Sequence, residues 1–151
     1  MKIGPRMGRI EVVSFDMEGT LVEPSFSNLI WETDIPRLYA EKEGISLEAA
    51  RERVLKEYRE VGDERIEWYD VGHWFRRLGL PGDWRELLDK RRETCRPFPE
   101  AKGVLERLRN RHDLIVVSNT IREFLEVQLC GLGEYFTKVF SAPSDFGEVK
   151  K

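Results

Sequence analysis

The chain lacks any apolar stretch approaching the roughly 20 residues that a bilayer core requires, so no segment reads as a membrane span. Its slightly basic start, Met1-Lys2-Ile3-Gly4-Pro5-Arg6, is not followed by the apolar block of a signal peptide. Cysteine is scarce. Cys95 and Cys130 have neither CxxC nor metal-ligand spacing, which argues for two small buried thiols rather than a zinc or redox motif. No charge of one sign dominates: 25 Lys and Arg face 28 Asp and Glu, for a net charge of −3. That balance argues against nucleic acid or an anionic membrane as the main partner. Asn and Gln are nearly missing, at three and one, while 35% of residues are charged, a composition that leans towards a thermophilic source. Internal repeats and low-complexity tracts are absent as well. A cytoplasmic protein is expected.

What is present suffices for a core. The 151 residues are 40% hydrophobic and 11% aromatic, enough for one domain or a small core with an insertion. Val12, Val13 and Phe15 read as a buried strand that runs into Asp16-Met17-Glu18-Gly19-Thr20. A carboxylate at the C-terminal end of such a strand sits where open α/β sheets bind ligands. Gly19 lets the backbone turn sharply, and Glu18 puts a second carboxylate within reach of the first. The plainer alternative is an Asp that ends a strand and begins a turn.

The pattern then becomes helical. Residues 28–42 carry Leu29, Ile30, Ile35, Leu38 and Tyr39, with a kink or break expected at Pro36. Ser46 can cap a helix whose apolar face uses Leu47, Ala50, Val54, Leu55 and Tyr58. Residues 64–78 read as another helix, and Asp83 caps a further one. Trp-bearing segments in succession suggest a compact helical bundle. The aromatic run around His73 (Trp68, Tyr69, Trp74, Phe75) reads as core in preference to a substrate-contacting patch. Lys90-Arg91-Arg92 reads as a solvated helix face.

Pro97-Phe98-Pro99 ends this stretch. A helix over 101–111, closed by His112, precedes a second buried strand, Leu114-Ile115-Val116-Val117. A helix over 121–129 leads to a third, Lys138-Val139-Phe140-Ser141. Alternation of this kind favours a parallel sheet with right-handed crossovers. Ser118-Asn119-Thr120 then falls on the same sheet edge as Asp16. A hydroxyl there, with the N–H groups of the following helix start, can grip a phosphate oxygen. Gly147-Glu148-Val149-Lys150-Lys151 brings an ammonium towards that edge. Asp nucleophile, hydroxyl donor and Lys cation together suit attack on a phosphorus or carbon electrophile. Lys138, before the third strand, ranks well below Lys150 as the cation, and Arg122 reads as a helix-surface residue.

These motifs, in this order, resemble the haloacid dehalogenase superfamily over nearly the whole chain. Asp16-Met17-Glu18-Gly19-Thr20 is similar to its DxDGT motif and Val116-Val117-Ser118-Asn119 to its second. Gly147-Glu148-Val149-Lys150 is similar to its GxxKP motif, with Lys151 in the Pro place; Lys150 and Lys151 both stand as candidates for the catalytic lysine. The resemblance implies a Rossmann-like α/β parallel-sheet core over 1–22 and 98–151 with an α-helical cap inserted at 23–97. It implies Asp16 as nucleophile, Glu18 as general acid and base, and Ser118 and Lys150 as holders of the transferring phosphoryl oxygens, with Gly19, Thr20 and Asn119 in the phosphate-binding set. Mg²⁺ would be held by Asp16 and the backbone carbonyl of Glu18. The function implied is a Mg²⁺-dependent phosphatase of a small phosphorylated metabolite. The alternatives are a dehalogenase attacking carbon and a weak or inactive binding module.

Two departures stand out. Glu18 occupies a place where phosphatases of the family carry Asp; it keeps the acid but adds a methylene, about 1.5 Å of bond length. Dehalogenases of the family carry Tyr there, so the carboxyl favours phosphoryl transfer. The family's fourth motif, an acidic pair supplying further Mg²⁺ ligands, does not occur before Lys151. A further segment or second chain is therefore expected to complete the sheet beside the first strand.

Overall fold

Three parallel strands in the order β1–β2–β3 form the sheet: β1 (Val12–Phe15), β2 (Asp113–Ser118) and β3 (Lys138–Ser141). The computed structural model describes residues 9–149. Val13 pairs with Leu114, Phe15 with Val116 and Ser118 with Ser141. Parallel neighbours need crossovers. Here the first runs through the helical insertion and α6 (Ala101–Leu108), and the second through α7 (Arg122–Gln128).

Leu114 and Val116 of the central strand are buried, as the apolar run requires. β1 differs from the expected buried strand: Val12 is 49% exposed, and Val13 and Phe15 are half-buried. Among the described residues β1 has a lateral neighbour on one side only, so its residues keep contact with solvent.

The chain leaves and re-enters the sheet layer through two paired segments. Val22 bridges Pro97, Glu23 N–H donates to the Arg96 carbonyl at 2.8 Å, and Phe98 N–H donates to the Leu21 carbonyl at 2.9 Å. Between them lie α1 (Ser25–Leu29), a π-helical turn (Ile30–Asp34), α2 (Ile35–Glu43), α3 (Leu47–Val61), α4 (Val71–Leu78) and α5 (Arg85–Arg91).

The interruption expected at Pro36 lies upstream instead. Pro36 occupies the first turn of α2, where its missing N–H is tolerated. The wider π turn precedes it and absorbs the shift in hydrogen-bond register. That turn buries Asp34 completely. Its carboxylate accepts 2.7 Å bonds from Arg91 Nε and a second Arg91 nitrogen, and a 2.6 Å bond from Arg37. Arg91 is therefore not part of a solvated face; its side chain is only 20% exposed. Lys90 and Arg92 on either side are exposed, as expected.

Ser46 caps α3 as expected, its hydroxyl accepting Ala49 N–H at 3.2 Å. The continuous helix expected over 64–78 is divided into a 3₁₀ turn (Ile66–Trp68) and α4. Asp70 causes the division: its carboxylate accepts His73 N–H at 3.1 Å and so starts a new helix. One continuous core joins the insertion to the sheet through Phe26, Ile30, Trp74, Phe124, Leu125 and Leu114.

Arg122 is not a free helix-surface residue. It donates to the Val139 carbonyl at 3.0 Å and to the Asp145 carboxylate, and its N–H donates to Ser144 Oγ at 2.9 Å. It thereby fastens α7 to β3 and to the turn Ala142–Phe146. Cys95 is buried as expected, whereas Cys130, expected to be buried too, is partly exposed and sits in a turn with φ of 44°. Burial, reinforced by the Cys130 thiol, pushes the Cys95 thiol up to about 12, so it stays protonated and unreactive.

Candidate active site

β1 delivers Asp16 to the C-terminal edge of the sheet, and the chain turns at once. The Met17 carbonyl accepts Leu21 N–H at 2.8 Å and Val22 N–H at 3.1 Å, while Met17 itself is fully buried. Gly19 has φ of 74°, a region that disfavours residues with a Cβ. Asp16 Oδ1 accepts Met17 N–H at 2.8 Å, which fixes one oxygen of the carboxylate. One strand over, Ser118 ends β2; it is 2% exposed and its Oγ accepts Thr120 N–H at 3.2 Å.

A cavity of about 550 Å³ opens on this edge and is lined by Asp16, Glu18, Ser118, Asn119 and Thr120 together. Asn119 Oδ1 is buried without a protein donor, an acceptor left for something else to meet. Gly19 and Thr20, expected to bind phosphate, are exposed and build the turn below the cavity, not its wall. Lys150 and Lys151 lie outside the described residues. Ser141, which ends β3, lies on this edge, its Oγ donating to the Thr120 carbonyl at 2.8 Å. Lys138 pairs with Ile115, three positions back from the Ser118–Ser141 pair and so away from this edge.

Glu18 is held by two side chains from distant parts of the chain. Its Oε2 accepts a short hydrogen bond from Ser27 Oγ and a 2.7 Å bond from Gln128 Nε2. Gln128 Nε2 also lies 3.4 Å from Ser27 Oγ, closing a three-membered network. Ser27 and Gln128 are 4% and 1% exposed. Burial pushes the Glu18 carboxyl above the ordinary carboxylate range, opposed by those two hydrogen bonds and helped by the charge of Asp16. The shift runs in the direction a proton donor needs, since burial holds the proton to higher pH than an exposed carboxyl would.

The shift has a consequence for stability. A carboxyl whose folded pKa exceeds its unfolded value stabilises the fold below the unfolded value and loses that contribution as pH rises through the folded one. Glu18→Gln removes the penalty of ionising a buried group. In metal-free buffer its thermal midpoint is expected to gain on the wild type as pH rises through and above the ordinary glutamate value of about 4.3. Calorimetry across that range measures it; a constant difference would contradict the shift.

The cavity's other wall comes from the helical insertion and is aromatic. Trp31 stacks on Phe124 with ring centroids 5.8 Å apart, and Tyr58 meets Trp31 edge-on at 5.7 Å. Tyr58 O–H donates to the Trp31 carbonyl at 3.3 Å and holds this corner. Trp68 and Tyr69 also line the cavity, while Trp74 is fully buried. The aromatic run around His73 is thus divided: Trp74 and Phe75 are buried core, whereas Trp68 and Tyr69 pack against the core and also face the cavity. Helical periodicity could not make that division, because the 3₁₀ turn breaks the period. Ser27, Trp31, Phe124 and Gln128 belong to no recognisable motif, so no signal in one sequence pointed to them.

The oxygen donors fit a hard divalent cation. No N–H of the described residues takes the Glu18 carbonyl, and the Asp16 carboxylate stands two residues before it. Mg²⁺ is commonly bound by one or two carboxylates together with waters and substrate phosphate. Among the described residues no cluster of three or more His, Cys, Asp or Glu forms a complete cage. No helix of the described residues is long and apolar enough to cross a membrane.

A model of the haloacid dehalogenase-like hydrolases matches residues 10–151, and the chain belongs to that family. The GMP/IMP nucleotidase YrfG of Escherichia coli is 31% identical over 71 residues, 47% of this chain and 32% of that protein. A HAD phosphatase from Thermococcus onnurineus superposes with a TM-score of 0.75 at 27% identity, over 88% of this chain and 62% of that one. The HAD-hydrolase YfnB from Bacillus subtilis, bound to magnesium, shares the fold with a TM-score of 0.55 at 22% identity, over 93% and 68%. The matched region thus spans about a third of the nucleotidase and 62% of the Thermococcus phosphatase.

Proposed function

We propose that the protein is a cytoplasmic, Mg²⁺-dependent phosphatase that hydrolyses a small phosphorylated metabolite through an aspartyl phosphate on Asp16. One observation carries this reading: Asp16, Glu18 and Ser118 share a single cavity, and the two carboxyls have different surroundings. A carboxylate Oδ of Asp16 attacks phosphorus, and the bond from phosphorus to the leaving oxygen breaks. Glu18 gives its proton to that oxygen, and the alcohol departs. Glu18, now a carboxylate, takes a proton from water as the water attacks the aspartyl phosphate. Inorganic phosphate leaves, Asp16 is regenerated and Glu18 is again an acid. Ser118 donates to the transferring phosphoryl oxygens, and Lys150 supplies the balancing ammonium. Asp16 and the Glu18 carbonyl would hold Mg²⁺, which supplies charge neutralisation at the phosphate.

The helical insertion acts as the cap, lying over residues 23–97, and its aromatic wall suits a flat organic group on the phosphate. The nucleotidase and phosphatase among the relatives support this substrate range. The two free thiols suit a reducing compartment. The exposed Val12 on β1 is assigned to pairing with a strand from a further segment or a second chain.

Attack on a carbon–halogen bond would release halide, which needs no proton donor, so the raised Glu18 carboxyl favours phosphate esters over haloacids. Phosphate release from p-nitrophenyl phosphate and from nucleoside monophosphates is expected with Mg²⁺ and is expected to be lost on chelation. Halide release from 2-haloacids without metal would overturn the reading. A silent protein that gains activity on Glu18→Asp would identify a binding module.

A further inference from the structure

We propose that Ser27 and Gln128 are positioning residues that clamp the Glu18 carboxyl, taking up the extra methylene that separates it from Asp. The inference rests on the acid–base role assigned to Glu18 above. An unheld Glu swings its carboxyl through an arc set by one additional C–C bond, about 1.5 Å. A misplacement of about 1 Å can cost on the order of 10²-fold in rate.

The two donors come from different helices and from distant parts of the chain. Ser27 belongs to α1, nine residues beyond Glu18, and Gln128 to the end of α7, 110 residues away. Both donate to the same oxygen, Oε2, which leaves Oε1 outside the clamp. Both are almost wholly buried. Gln128 is there at a cost, since its own Oε1 is buried without a donor. A residue kept for packing alone would be apolar at such a position. An Asp at position 18 would withdraw its oxygens by one bond and strand both donors, so the clamp matches Glu and not Asp.

A double-mutant cycle in the full-length protein tests this. Gln128→Leu and Ser27→Ala are made in the wild type and in Glu18→Asp, and kcat and KM are measured for an alkyl phosphate and for p-nitrophenyl phosphate. In the wild type, Gln128→Leu is expected to lower kcat for the alkyl ester about 10- to 100-fold with little change in KM. The loss should be smaller with p-nitrophenyl phosphate, whose phenolate leaves with little need of a proton. In Glu18→Asp the same substitution should change kcat by less than about threefold, because the contact is already gone. Equal losses in both backgrounds, or a rise in KM alone, would overturn the clamp. Crystal structures of wild type and Gln128→Leu give a readout independent of turnover: the Glu18 carboxyl should move, and an unmoved carboxyl would overturn the proposal. A wild type that releases phosphate from no ester would remove the phosphatase reading, while the two structures would still decide the clamp.

Discussion

Replacing Asp16 by Asn is expected to lower phosphate release by more than about 10⁴-fold, the scale seen when a covalent nucleophile is removed. The thermal midpoint should hardly change. The two side chains are nearly the same shape, and the Asn carbonyl oxygen can still accept the Met17 N–H that Asp16 Oδ1 accepts at 2.8 Å. What disappears is the negative charge that the proposed mechanism uses to attack phosphorus. Steady-state kinetics with p-nitrophenyl phosphate and Mg²⁺, paired with calorimetry, separates the two effects. A variant with near-normal turnover would remove Asp16 from the nucleophile's role; one that fails to fold would show a structural role instead.

The second large effect concerns stability. Asp34 is wholly buried, and Arg91 grips it with two nitrogens at 2.7 Å. Arg91→Met leaves that charge with Arg37, whose side chain is 40% exposed, as its remaining partner. Breaking a buried pair from one side costs about 3–5 kcal/mol, which for a chain of this size lowers the midpoint by roughly 10–15 °C. Adding Asp34→Leu should restore most of the loss, since replacing both partners by apolar groups is often neutral. Calorimetry on the two single variants and the double variant measures the coupling. A fall of less than about 2 °C in Arg91→Met would show that the pair carries little weight.

The sheet was legible in the sequence because its strands announce themselves locally. Val116 and Val117 form an apolar run, and Ser118 stops it where the family's second motif stops. Asp16 was legible for the same reason, through the Gly19 turn that only a positive φ explains. The insertion was less so. A π turn before Pro36 and the Asp70 cap both depend on register shifts that an apolar period cannot reveal. Arg91 read as surface because its partner, Asp34, lies 57 residues away. Gln128 is the clearest limit. It is the sole glutamine of the chain and sits on a helix of ordinary pattern. Only folding brings its amide to Glu18, across 110 residues. The sequence could therefore raise the difficulty of a Glu at position 18 without containing any local sign of what holds it.

The central claim is a covalent phosphoryl group on Asp16, and rapid quenching tests it most directly. The protein is mixed with a phosphate ester and Mg²⁺, quenched in acid within a turnover, digested and analysed by mass spectrometry. The account predicts a phosphoryl group on the peptide containing Asp16, absent from Asp16→Asn and more abundant in Glu18→Gln, where the base that activates water is gone. Turnover of the ester with no phosphopeptide in any of the three proteins would contradict it.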